Sequence, residues 1–412
     1  MKHALKPVIG VAARPASGRH DPGMTPADAA LLTRTFRHFA RREFRGHSIR
    51  YERLSEAVAD RPELGEPLLA APPDQRRAIL FFAAVQYLLR TVAREHPLAA
   101  YLPTLGGGRE VDGGLPAALA DLVAAHRDDL TALCATRTTQ TNEARRAALL
   151  RPAFGRAAEM AGGPLALVEL GTSAGLLLIS DRYTCEYRGG DRVESYGPAG
   201  GLTMSCEVRG RRWPAPAAAD LAVVDRVGID LSPVDATDPL AVEWLRACVW
   251  PEHTERLARL DAALAEVAAA RPRLVAGEMV ATLPAVLSTV DDSAVPCVFA
   301  SNALTYLSTA GRGRLAATLA GFGARRDLTV VLNEASQSGA ELFTGRPAEA
   351  GPRGVLAVGL LTLVAWRGGR ATVEVLARTG PHGQWLEWVQ REYAYFRAPL
   401  RLADSHGPYA PS

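Results

Sequence analysis

The stretch Leu165-Ala166-Leu167-Val168-Glu169-Leu170-Gly171-Thr172-Ser173-Ala174-Gly175 constrains this chain most. A short apolar run closed by glycines reads as a buried strand. Leu176, Leu177, Leu178 and Ile179 follow without a breaker, so a helix is expected from about Ala174 to Tyr183. Strand, glycine turn and helix make the first half of a βαβ unit. Helix-start amides and small residues would let a ligand approach the backbone there, with Thr172 and Ser173 adding hydroxyls. The competing reading is a tight turn that binds nothing. A second run, Val227-Gly228-Ile229-Asp230-Leu231-Ser232-Pro233, is an apolar strand ending in an acid. In dinucleotide-type sites such an acid accepts hydrogen bonds from ribose hydroxyls, usually about 20 residues after the glycine turn. The longer gap from Gly175 to Asp230 implies an insertion.

From Pro164 strand and helix signals alternate, which argues for a parallel sheet. Gly228–Leu231 reads as the second parallel strand, Leu274–Ala276 as the third, Val295–Ala300 as the fourth and Leu328–Leu332 as the fifth. Val355–Ala365 and Ala371–Ala377 read as an antiparallel pair around Arg367-Gly368-Gly369. Leu202–Val208 and Leu221–Val224 read as antiparallel strands of the insertion, about residues 184–224. Residues 25–161 carry helical spacing throughout, opened by Thr25 as N-cap and Pro26 as first helical residue. The expected organisation is a flexible segment over 1–24, a helical cap domain over 25–161, an α/β domain over 162–400 and a tail over 401–412.

With 47 basic and 44 acidic residues, a net charge of +3 gives no electrostatic case for nucleic acid. The five cysteines, Cys134, Cys185, Cys206, Cys248 and Cys297, form no Cys-x-x-Cys pair, so neither zinc nor a disulfide framework is suggested. His253 with Glu252 and Glu255 lacks the second histidine of a zinc-protease helix. No signal-peptide pattern opens the chain. The longest apolar run, Val355–Trp366, is too short to span a bilayer. A cytoplasmic protein without membrane or metal partners is the expectation.

Taken together, the strand-end motifs resemble a class I S-adenosylmethionine (SAM) methyltransferase domain. Glu169–Gly175 resembles the turn that holds the methionine end of SAM, and Gly228–Pro233 the motif whose acid holds the ribose. Val275-Ala276-Gly277-Glu278-Met279 resembles the motif whose acid contacts the adenine amine. Val298–Leu307 resembles the strand and segment that stand between SAM and substrate. The resemblance implies a Rossmann-like α/β fold, with a seven-stranded sheet whose seventh strand is antiparallel, an all-helical N-terminal domain and a small β insert. The middle glycine common in the first motif is replaced by Thr172-Ser173-Ala174, and Glu278 stands where Asp is commoner. More closely, Gln140–Glu143, Glu169–Tyr183, Gly228–Pro239, Trp250–Arg256 and His382–Trp388 resemble a bacterial domain family of unknown function grouped with methyltransferase-like folds.

On this reading the cofactor-binding residues are Glu169, Gly171, Thr172, Ser173, Gly175, Asp230, Glu278, Ser301 and Asn302. Gln140, Asn142 and Glu143 either reach over the site to the substrate or, with Thr139 or Thr141 as N-cap, merely open a helix. His382 is a candidate general base because histidine titrates near neutrality. Tyr183 and Tyr306 are further catalytic candidates, and with Tyr187 and Tyr196 they are candidates to face a sulfonium; packing is the alternative. Trp244, Trp250 and Trp385 read as core. The expected partner is a small-molecule substrate, with a homodimer allowed. Methyl transfer to a small acceptor is the first functional expectation. Cyclisation of the aminobutyrate arm of SAM to a cyclopropane or azetidine amino acid is the second, and non-catalytic SAM binding the third. An NAD dehydrogenase is disfavoured by the missing Gly-x-Gly-x-x-Gly.

Overall fold

A computed structural model describes residues 24–214, 221–345 and 359–395. The expected flexible lead-in up to residue 23, residues 215–220 of the insertion, residues 355–358 of the strand expected from Val355, and the C-terminal tail lie outside these residues. The described residues divide into two compact units. One runs to Phe82 and resumes over Glu110–Thr138; the other takes Ala83–Arg109 and the chain from Thr139.

The first unit is helical. It holds α1 (Pro26–Phe39) and α2 (Ile49–Asp60), and α3 (Ala78–Thr91) carries the chain into the second unit. After the return come α4 (Gly114–Ala125) and α5 (Arg127–Thr136). Thr25 caps α1 in a reciprocal box: its side chain accepts from the Asp28 amide, and the Asp28 carboxylate accepts from the Thr25 amide. Phe36, Phe44, Tyr51 and Phe82 pack edge-to-face and stacked, with ring centroids 4.6 Å apart for Tyr51 and Phe82. The helical spacing that runs over Leu115–Leu133 in the sequence reads as one helix, but it is broken at His126, whose φ of −131° leaves the helical region.

The second unit is built on one sheet. Its strands are β1 (Leu165–Leu170), β2 (Thr184–Gly189), β3 (Arg192–Tyr196), β4 (Thr203–Arg209), β5 (Val223–Asp230), β6 (Arg273–Ala276), β7 (Val295–Ser301), β8 (Leu328–Glu334), β9 (Gly359–Arg367), β10 (Arg370–Thr379) and β11 (Trp385–Tyr393). They lie in the order β3-β2-β4-β11-β10-β9-β8-β7-β1-β5-β6. The five strands β6, β5, β1, β7 and β8 are parallel to one another, and β9 runs antiparallel beside β8. Among the described residues eleven strands rather than seven share this sheet, because β2, β3 and β4 of the insertion join its far edge through β11.

The helices are α6 (Ala147–Ala161), α7 (Pro239–Ala247), α8 (Thr254–Ala270), α9 (Met279–Leu287), α10 (Thr309–Gly323) and the short α11 (Glu341–Thr344). Alternate residues of β1 feed the two faces: Leu165 and Leu167 join the cluster of α6 and α8, while Ala166, Val168 and Leu170 join that of α9 and α10. Strands buried on both faces read as unbroken apolar runs, which explains why β1, β7 and β8 stood out in the sequence. Pro152 inside α6 lacks an N–H for the carbonyl of Ala148. The Tyr187 hydroxyl donates to that carbonyl instead, at 2.7 Å.

Four further segments differ from the sequence expectation. No α-helix follows the glycine turn: residues 173–179 form successive turns, ending in a 3₁₀ turn at Ser180–Arg182. Leu176–Ile179 are all buried, so the run has no polar face for an amphipathic helix, and Tyr183 donates its hydroxyl to the Leu176 carbonyl at 2.9 Å. Val223–Val224 open β5 instead of forming an antiparallel addition, and β4 pairs in parallel with both β2 and β11. β11 itself was not expected as a strand.

Candidate functional site

Numbered in chain order, the five parallel strands run 3-2-1-4-5, and the order reverses between β1 and β7. Ligands of open α/β sheets bind outside the carboxyl ends of the strands at such a switch point. The residues that end these strands, with the turn before α6 and the β10–β11 loop, make one polar group within the second unit.

Glu169 is on β1 and 3% exposed; it accepts a hydrogen bond from Thr172 Oγ1 at 2.7 Å. Burial pushes its carboxyl up to about 8, opposed by the Thr172 hydrogen bond. Gly171 has φ +75°, and a Cβ there would stand 2.6 Å from that of Ala303, so packing alone demands glycine. Thr172 lies over Gly228, where a Cβ would meet it at 2.5 Å. Gly175 also has positive φ and backs onto Pro272. Ser173 sits at φ 52° with its amide donating to Asp230 Oδ2 at 2.8 Å. Its hydroxyl accepts from Asn142 Nδ2 at 2.9 Å and donates to Gln140 Oε1. Gln140 and Asn142 therefore buttress the glycine turn, and neither caps a helix.

Asp230 holds the turn from β5: Oδ2 takes the Ser173 amide and Oδ1 the Ser232 amide at 2.9 Å. Each oxygen keeps a second lone pair. Glu278 caps α9, accepting from the Ala281 amide at 2.8 Å, and is exposed. Ser301, at the end of β7, accepts from buried Asn333 at 2.9 Å, and Asn333 in turn accepts from Thr379 at 2.7 Å. Asn302 has φ 57° and donates to the Pro381 carbonyl at 3.3 Å.

Glu143 caps the 3₁₀ turn at Ala144–Arg146 and pairs with Arg256 at 3.3 Å and Arg259 at 3.1 Å. Burial works to raise its carboxyl, but Arg256 and Arg259 outweigh it and hold the group below its ordinary value. His382 lies in the β10–β11 loop with Nδ1 buried and without a partner. Burial first, then Arg256 and Arg146, push its imidazole down to about 4, so it is neutral at pH 7 and able to accept a proton only weakly. Tyr306 is 75% exposed, as is Leu231; they are the most exposed large apolar side chains among the described residues, and each follows a strand end closely. Tyr183 and Tyr187 lie instead in the apolar core with their hydroxyls donated to backbone carbonyls. Tyr196 donates to Glu194 on β3.

Two residues of this group were given no role from the sequence. Glu334 ends β8 fully buried; its Oε1 accepts from the Ala303 amide at 2.7 Å and the Leu304 amide at 3.1 Å, while Oε2 has no partner among the described residues. Burial pushes this carboxyl up to about 7 against those two hydrogen bonds and Arg146. Arg146 is 5% exposed and donates to the carbonyls of Pro381 at 3.1 Å and Ser301 at 3.3 Å. Burial and then Arg256 lower its guanidinium to about 10, which leaves it a cation at neutral pH. Glu334 repeats the signal that singled out Glu169, an acid closing an apolar strand. Nothing in the sequence separates Arg146 from its neighbour Arg145.

Among the described residues no group of three or more His, Cys, Asp or Glu is arranged to hold a metal ion, and no helix is long and apolar enough to cross a membrane. No curated protein matches the chain. Residues 33–388 match the family described as "Uncharacterized protein conserved in bacteria (DUF2332)", and the chain belongs to that family.

Proposed function

We propose that the second unit binds SAM across the carboxyl ends of β1, β5, β6 and β7 and transfers its methyl group to a small molecule. The observation that carries this reading is the 3-2-1-4-5 order of parallel strands, with Glu169 one residue before the end of β1 and Asp230 and Ser301 ending β5 and β7 around the reversal. The donor set fits the cosubstrate's parts. Asp230 keeps lone pairs for a ribose diol, Glu278 keeps an oxygen for an adenine amine, and exposed Leu231 offers apolar surface to a base. SAM supplies an electrophilic methyl on a sulfonium. The chain's own residues would orient it, and holding the methyl in line with an acceptor nucleophile is their contribution to the rate.

A second reading draws support from Glu334. A carboxylate with a free oxygen and an affinity for protons near neutrality suits removal of a proton from the amine of the aminobutyrate arm. That nitrogen would then displace sulfur from the γ-carbon, giving the azetidine acid and 5′-methylthioadenosine. Calorimetry with SAM and S-adenosylhomocysteine tests binding. Mass spectrometry of the nucleoside left after incubation then separates the reactions: S-adenosylhomocysteine for methyl transfer, 5′-methylthioadenosine without added acceptor for cyclisation. Failure of folded protein to bind either ligand refutes both readings.

A further inference from the structure

A buried cation and a buried carboxylate oxygen near each other usually pair. Here they do not. Arg146 donates to the Ser301 carbonyl, and Ser301 lies opposite Asn333, the residue before Glu334, yet no carboxylate lies within 4.0 Å of the Arg146 guanidinium among the described residues. Arg146 uses Nε and Nη1 on two backbone carbonyls, and Nη2 has no acceptor among the described residues. Glu334 takes two amides on Oε1 and leaves Oε2 without a donor. Leaving such groups unsatisfied in a site of low dielectric costs free energy that a ligand recovers on binding. The loop-pinning role of Arg146 accounts for two of its five N–H groups and not for the others.

We infer that Arg146 and Glu334 receive an α-amino acid head group, its carboxylate on the guanidinium of Arg146 and its ammonium on the free oxygen of Glu334. A guanidinium presents paired N–H groups that match a carboxylate, and Glu334 supplies the single acceptor an ammonium needs. His382, with Nδ1 unpartnered, adds a further polar contact beside the carboxylate, and Arg256 keeps that side of the site cationic. A phosphate fits less well, because its second charge would meet Glu334. The head group has two sources, the methionine end of SAM or an amino-acid second substrate, and the inference rests on the proposed function only for the first.

A matched set of probes tests this: L-2-aminobutyrate, butyrate and propylammonium, observed by saturation-transfer NMR with the full-length protein. Wild type should bind L-2-aminobutyrate most tightly. Arg146→Gln should weaken both L-2-aminobutyrate and butyrate by about tenfold or more. Glu334→Gln should bring L-2-aminobutyrate down to the level of butyrate and leave butyrate unchanged. If Arg146→Gln melts early, Arg146→Lys, which keeps the charge but not the paired N–H groups, should show the same loss to a smaller degree. Absence of L-2-aminobutyrate binding to wild type, or its persistence in folded Arg146 variants, overturns the inference. The source is settled by calorimetry with S-adenosylhomocysteine and 5′-methylthioadenosine, which lacks the head group. A loss in Arg146→Gln confined to S-adenosylhomocysteine assigns the head group to the cosubstrate, and equal binding assigns it to the second substrate. Probe binding without any adenosyl binding refutes the proposed function and leaves this inference standing.

Discussion

Glu334 makes a sharp prediction about stability. Its carboxyl is carried from an ordinary 4.5 to about 7 by burial in the fold. A group whose folded value lies above its unfolded value binds protons preferentially in the native state. Its contribution is fully present below pH 4.5 and is lost as pH rises through 7. At about 1.4 kcal/mol per pH unit, that interval corresponds to about 3 kcal/mol. Glu334→Gln keeps an oxygen for the Ala303 and Leu304 amides and cannot ionise. The variant should therefore match wild type near pH 4.5 and exceed it by about 3 kcal/mol above pH 7. At about 2 °C per kcal/mol, this is about 6 °C in melting temperature. All six tryptophans, Trp213, Trp244, Trp250, Trp366, Trp385 and Trp388, belong to the second unit, so their fluorescence follows that unit alone. Melts of both proteins at matched pH from 4.5 to 8.5 make the comparison, since other titrating groups cancel in the difference. A difference that stays flat over that range, or that falls as pH rises, refutes the assignment of a buried, unpaired carboxyl to Glu334.

Two further substitutions test the architecture of the turn. Gly228→Ala forces a methyl against Thr172 and should cost about 1–3 kcal/mol in tryptophan-monitored unfolding; the cost should shrink in a Thr172→Gly background, and strict additivity would contradict the contact. Asp230→Ala leaves the Ser173 and Ser232 amides without their acceptors and should destabilise by about 1–3 kcal/mol. Asp230→Asn, which keeps an acceptor oxygen, should cost less and slow hydrogen exchange at Ser173 relative to the alanine variant; equal behaviour of the two would contradict the turn geometry.

The parallel core was legible because β1, β7 and β8 are buried on both faces and mostly apolar, with their polar residues gathered near the strand ends. Thr25 and Pro26 announced α1 by local chemistry that needs no tertiary contact. What failed were segments whose state is set by distant partners. Leu176–Ile179 look helical locally, but they are enclosed on all sides and settle into turns held by Tyr183. β11 carries the inward–outward alternation of a half-buried strand in Trp385, Leu386, Glu387 and Trp388, and β10 beside it is its neighbour in the chain, yet its other partner, β4, lies far away. The polar residues at the strand ends were found where a motif marked them, as at Glu169 and Asp230. Arg146 was missed because its role follows from what surrounds it and from the carbonyls it meets, neither of which is written in its neighbours.

The pairing of β4 with β11 has a consequence for synthesis. Glu207, Val208 and Arg209 lie opposite Trp385, Leu386 and Glu387, and the Glu207 amide donates to the Gln384 carbonyl at 2.8 Å. While the ribosome is still making the intervening residues, the hairpin of β2 and β3 with β4 has nothing to join it to the rest of the sheet, and β4 presents an open edge. Open edges are templates for pairing with other chains. Contacts this remote in sequence form late and slowly. The nascent chain thus carries an exposed edge until its last strand emerges, and that interval is when a holding chaperone has the most to protect.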